Sequence, residues 1–90
     1  MHFELAEAKA RSNRLKHGVD FADAASVLAD ELAITIADEE LEEERYVTIG
    51  MDALGRLLVG VYTLRDDRIR LLSARRATRR ERGEYKTRLI

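Results

Sequence analysis

The chain has no cysteine, no proline and no tryptophan, and only 6% of its 90 residues are aromatic. Without Cys there is no disulfide, no thiolate nucleophile and no Cys-held metal, a usage that fits a reducing compartment. Without Pro, compact elements and short turns are expected in place of a rigid linker. The longest apolar run, residues 57–62, is far too short to cross a bilayer. The start, Met1-His2-Phe3-Glu4-Leu5-Ala6-Glu7, lacks the basic and apolar regions of a signal peptide. One soluble cytoplasmic domain over residues 1–90 is therefore expected. Its core is thin, because a chain of this length buries roughly 60–65% of its unfolded surface.

What is present is charge, 37% of the residues, and it is divided unevenly. Residues 65–90 carry ten bases, nine of them Arg, against Asp66, Asp67, Glu81 and Glu84. Residues 1–64 carry six bases against thirteen acids, so a net charge of −1 conceals two opposite halves. Arg grips phosphate oxygens two bonds at a time, so the basic half is suited to a polyanion.

Periodicity supplies the elements. Leu5, Ala8, Ser12 and Leu15 suggest the buried stripe of a helix over 5–17, closed by Gly18. Asp20 reads as the N-cap of a second helix over 20–30, with Phe21, Ala24, Ala25 and Leu28 inward. Alternation over 32–36 predicts a strand, and the acidic run over 38–44 a solvated loop. Strands follow over 46–51, 56–63 and 68–74, separated by turns at Asp52-Ala53-Leu54-Gly55 and Asp66-Asp67. Thr78-Arg79-Arg80-Glu81 is a capping box that opens a last helix over 78–89. The expected fold is α+β: two N-terminal helices, a four-stranded antiparallel sheet with 56–63 central, and a C-terminal helix.

Two clusters stand out chemically. Arg79, Arg80 and Arg82 sit in the first turn of the last helix, just after Arg75 and Arg76, where the helix dipole disfavours cations. Either that helix start is simply exposed, with some Arg paired to the acidic loop, or the corner is a site for phosphate or an acidic partner. Lys16-His17 precedes Gly18 where cations suit a helix C-terminus, so a plain cap is one reading. The other is that His17 moves protons near neutral pH. His2, near the terminus, reads as inert. No His-x3-His, EF-hand or Gly-rich phosphate loop is present, and Ser12, Ser26 and Ser73 lie outside any nucleophile elbow.

Phe3-Glu4, Lys9-Ala10, Asn13, Lys16-His17-Gly18-Val19, Phe21 and Ala24-Ala25 together resemble the N-terminal half of BrnT-type toxins. The resemblance continues through Glu44-Arg45-Tyr46, Ile49-Gly50, Val61-Tyr62-Thr63 and Arg68-Ile69. It closes with Ser73-Ala74-Arg75-Arg76-Ala77, Glu81-Arg82 and Tyr85. The chain departs from the family at Leu5-Ala6, where Trp-Asp is frequent, and at residues 28–31. The resemblance implies a RelE-like fold and a type II toxin that cleaves RNA without metal or other cofactor. It also implies neutralisation by a BrnA-type ribbon-helix-helix antitoxin, through which the complex reaches operator DNA. RNA carries its own nucleophile, the 2′-OH, so the enzyme needs only to align it, move two protons and stabilise charge. Under that resemblance Arg45 and Arg75 clamp the scissile phosphate and His17 is acid or base, with Lys16 in support. Tyr62 stacks on a base or lends its hydroxyl, while Arg68, Arg76, Arg79 and Arg80 track the backbone. A non-catalytic module that binds nucleic acid or antitoxin stays open beside this. A plain structural subunit fits the dense Arg corner poorly.

Overall fold

The computed structural model describes residues 2–4, 6–38 and 44–88. In chain order these form β1 (His2–Glu4), α1 (Glu7–His17), α2 (Phe21–Val27), β2 (Ile34–Asp38), β3 (Arg45–Met51), β4 (Leu57–Arg65), β5 (Arg68–Arg76) and α3 (Arg79–Thr87). Most of the expected acidic loop, residues 39–43, lies outside the described residues, as do Leu5 and Leu89. No helix among the described residues is long and apolar enough to cross a membrane.

The sheet runs in the order β1-β5-β4-β3-β2. This corrects the four-stranded antiparallel expectation: there are five strands, and β1 lies parallel to β5, with Phe3 opposite Ile69. Three residues are too few to show a period of two, and the partner strand is remote in sequence. The remaining pairs are antiparallel, and β4 is central as its apolar run requires. Local chemistry sets the tight turns. Asp66 and Asp67 both take positive φ, 50° and 65°, as a two-residue hairpin of matching twist demands. In the β3–β4 turn, the Asp52 carboxylate accepts from the N–H groups of Leu54 and Arg56 while Gly55 sits at φ 82°.

One face of the sheet is covered by α1 and α2. Val19, Phe21, Ala24 and Val27 pack there on Leu58, Tyr62, Ile69, Leu71 and Ala74. Gly50 lets α2 come close, since a Cβ there would lie 2.8 Å from Val27 Cγ1. The other face receives α3, whose Tyr85, with Ala77, packs on Ile49 and Val59. Tyr85 also donates to Asp30 Oδ2 at 2.7 Å, tying α3 to the turn after α2. Asp30 accepts in addition from the N–H groups of Leu32 and Met51.

The inner side of α1 differs from the apolar stripe expected. Ala8, Ser12 and Leu15 are exposed, Leu15 by 85%, and Asn13 is the helix's buried residue. Its amide nitrogen donates to the carbonyls of Val19 (2.9 Å) and Ala74 (2.8 Å), and its Oδ1 accepts from Ala74 N–H at 3.0 Å. The side chain thus bonds the outer edge of β5 as a neighbouring strand would, beyond the reach of β1. Gly18 closes α1 at φ 69° with its N–H on Arg14. Asp20 occupies the N-cap position of α2 without a side-chain cap bond, and its carboxylate faces Arg14 at 3.5 Å.

Candidate functional site

A β-bulge decides which side chains share a face. Opposite Val61 and Tyr62 the register shifts, so that Val61 pairs with Ser73 and Tyr62 with Leu71, leaving Leu72 as the extra residue of β5. Strict alternation would put Arg75 on the face of Ile69 and Leu71. With the extra residue, Arg70, Ser73 and Arg75 all share the face that α3 partly covers. Paired residues point the same way, so rows can be read across the strands. One row holds Arg75, Val59 and Ile49; the next holds Ser73, Val61, Val47 and Ile36; the third pairs Arg70 with Thr63. Arg45, two residues before Val47 on β3, lies on the same face by alternation. α3 packs on the first row, and Val47 of the second row packs against the same cluster. In the second row, Ser73, Val61 and Val47 are half-buried and Ile36 is exposed. Thr63 is fully buried, and its hydroxyl has no hydrogen-bond partner among the described residues.

At the α3 end of this face Arg75 meets Glu81 fork to fork, Nη1 to Oε1 at 2.7 Å and Nη2 to Oε2 at 2.9 Å. Glu81 is also the capping-box residue: it accepts from Thr78 N–H, and its own N–H bonds the Thr78 hydroxyl. The corner that looked overcharged is thus organised around one carboxylate. Arg76 is exposed and pairs in register with Leu58, which places it on the α1–α2 side. Arg79 and Arg80 are exposed on the first turn of α3, with Arg80 3.4 Å from Glu84. Arg68 is exposed at the far end of β5 and paired with Glu4 at 3.2 Å.

Lys16 and His17 lie elsewhere, at the outer edge of β5. With Lys9, Ser12, Asn13, Leu72 and Ser73 they line a cleft of about 220 Å³. Ser73 belongs to this cleft and to the Arg face, and Arg75 is two residues further along the same strand, about 7 Å. The structure therefore brings Lys16 and His17 to the margin of the face that carries Arg75. It sets Arg45 two strands away, on β3. Tyr62 is buried, stacked on Tyr46 at 5.7 Å between ring centroids, and its hydroxyl meets Thr48 Oγ1 at 2.9 Å. Its ring and hydroxyl thus have partners within the fold, on the α1–α2 face and not on the face that carries Arg75. Arg70, Ser73, Asn13 and Glu81, none of them among the expected site residues, lie beside these side chains in the fold. The Leu71-Leu72 pair, which breaks an alternating strand, was the available signal for the first two.

Two carboxylates are held ionised into acid by their hydrogen bonds. The Arg75 fork holds Glu81 down at about 2 against an ordinary 4.5; burial opposes this, and the Thr78 N–H and hydroxyl assist. Burial works against ionised Asp52 too, but bonds from the Arg56 N–H and guanidinium and the Leu54 N–H outweigh it, leaving the carboxyl lowered. A carboxyl lowered in the folded state stabilises fully above its unfolded pKa and loses that contribution as pH falls through the folded one. Glu81 should therefore contribute about 1–2 kcal/mol at pH 7, after allowance for solvent screening. The gain should fade from about pH 4.5 to pH 2. Urea midpoints of the parent and Glu81→Gln are expected to differ at pH 7 and to converge near pH 2. A constant gap across that range would be inconsistent with this account.

A family model described as the ribonuclease toxin BrnT of type II toxin–antitoxin systems matches residues 6–81. That span takes in the Lys16–His17 cleft, the bulged strand and the Arg75–Glu81 pair. Comparison with curated protein sequences finds no match. Among solved structures, the Brucella abortus ribonuclease toxin BrnT is similar in fold, with a TM-score of 0.63 and 20% sequence identity. The similarity covers 88% of this chain and 100% of that one. The chain belongs to the BrnT family of ribonuclease toxins of type II toxin–antitoxin systems.

Proposed function

We propose that the chain acts in the bacterial cytoplasm as a single-domain, metal-independent endoribonuclease. It arrests growth by cutting RNA until a BrnA-type ribbon-helix-helix antitoxin binds it, and the complex reaches operator DNA through that antitoxin. The supporting observation is the convergence of Arg70, Ser73 and Arg75 on one sheet face, bordered by the Lys16–His17 cleft. RNA lies across that face. A base takes the proton of the 2′-OH, and the oxygen attacks the neighbouring phosphorus. The 5′-oxygen leaves with a proton from an acid, giving a 2′,3′-cyclic phosphate and a 5′-OH. His17 supplies one of the two proton transfers and Lys16 stabilises charge beside it. Arg75 holds the scissile phosphate, Arg45 holds a neighbouring part of the strand across the sheet, and Arg68, Arg76, Arg79 and Arg80 form the outer basic field.

Induction of the chain alone in a bacterium tests this reading. Growth arrest with RNA fragments ending in cyclic phosphate is expected, and the double variant His17→Ala/Arg75→Ala should give neither. A double variant as toxic and as cleaving as the parent sinks the proposal. Arrest with intact RNA would make the chain a binder.

A further inference from the structure

Arg75 does not spend all its donors on Glu81. A guanidinium has five N–H groups in a plane, and the carboxylate takes one from each terminal nitrogen. The second N–H of Nη1 points towards the Arg76 carbonyl at 3.4 Å. Among the described residues, the side formed by Nε–H and the second Nη2–H has no hydrogen-bond partner. Two parallel N–H groups on one side of a guanidinium are the donor set that a phosphate takes bidentately. Glu81 is itself fixed from behind, with Oε1 on Thr78 N–H at 2.8 Å at the start of α3. Arg75 is therefore held on two sides, by its own strand and by the helix start, while one two-donor edge remains unspent.

We propose that Glu81 is a positioning residue: it holds the end of the Arg75 fork so that the side-on edge is presented, already oriented, to an RNA phosphate on the open sheet face. The inference rests on the RNA-cleaving reading above and adds to it the group that aims the clamp. A neutral role, in which Glu81 merely offsets surrounding Arg charge and caps the helix, makes a different prediction. Gln at this position keeps the capping box but loses the paired carboxylate oxygens. Thr78→Ala does the reverse, weakening the cap while leaving Arg75 and Glu81 paired.

The experiment measures affinity for a mixed pool of 2′-O-methyl RNA oligonucleotides, which cannot be cleaved, and kcat and KM on the unmodified pool. All variants are confirmed folded at the assay temperature by circular dichroism. Glu81→Gln is expected to weaken binding at least ten-fold, raising KM more than it lowers kcat, and Arg75→Ala to do likewise. The double variant should bind no worse than Arg75→Ala alone, and Thr78→Ala should bind like the parent. Parent-like binding by Glu81→Gln, or losses that multiply in the double variant, overturns the proposal. If Arg75→Ala binds and cleaves like the parent, the RNA-clamp reading itself is what fails. Should Glu81→Gln not fold, Glu81→Asp, a methylene too short for the fork, is expected to show the same loss. Parent-like affinity there overturns the proposal equally.

Discussion

Replacing Asn13 by Ala is expected to destabilise the chain by about 3–5 kcal/mol, a large share of the roughly 5–10 kcal/mol that holds a small domain together. The side chain is buried, and its amide bonds three backbone groups at once: the carbonyls of Val19 and Ala74, and the Ala74 N–H. Truncation orphans all three in a place where water has little access, and each orphan costs about 1–3 kcal/mol. The measurement is the urea midpoint, and a loss below about 1 kcal/mol would mean that water replaces the amide at that edge. Asn13→Asp sharpens the test. It keeps an acceptor for Ala74 N–H but sets a carboxylate against two carbonyl oxygens. It should therefore be less stable than Asn13→Ala at neutral pH and recover in acid, where a protonated oxygen donates again.

Asn13 also shows which parts of the fold were legible. Features closed within a few residues read directly: the Gly18 helix stop, the Asp66-Asp67 hairpin, and the capping box of Thr78 and Glu81. Each is set by local sterics or by one side-chain bond to a nearby amide. What was missed depends on partners far along the chain. β1 is held by β5 more than sixty residues later. α1 is turned inward by one polar side chain seeking β5, and Leu15 is left in solvent as a result. Hydrophobic periodicity cannot register a helix whose packing is decided by an amide. The site was legible as a list of cations and illegible as a surface. Lys16, His17 and Arg75 carry no mark of their common margin, because Ser73, which joins cleft and face, looks like an ordinary strand residue.

Reversing Arg45 and Arg70 together to Glu should lower RNA cleavage by about a hundred-fold or more while leaving the fold intact. Arg70 pairs with Thr63 on β4, and Arg45 lies on the same face of β3 beyond it, so their two strands are about 10 Å apart. Arg45 is exposed and Arg70 half-buried, on a part of the sheet where α3 does not pack. Neither belongs to the apolar clusters, so the change acts on the field over the face. A phosphate held between two cations would instead meet two carboxylates, and the salt dependence of binding should become shallower as phosphate contacts are lost. Net charge alone predicts the same loss wherever four units of negative charge are added. Arg11→Glu/Arg14→Glu, on the exposed side of α1, is therefore the necessary comparison. If both pairs weaken cleavage equally, the effect is a long-range field and the face is not the site. If only the Arg45/Arg70 pair does so, the RNA crosses the sheet where the bulge has gathered Arg70, Ser73 and Arg75. The extra residue in β5 would then be what turns a string of arginines into a surface.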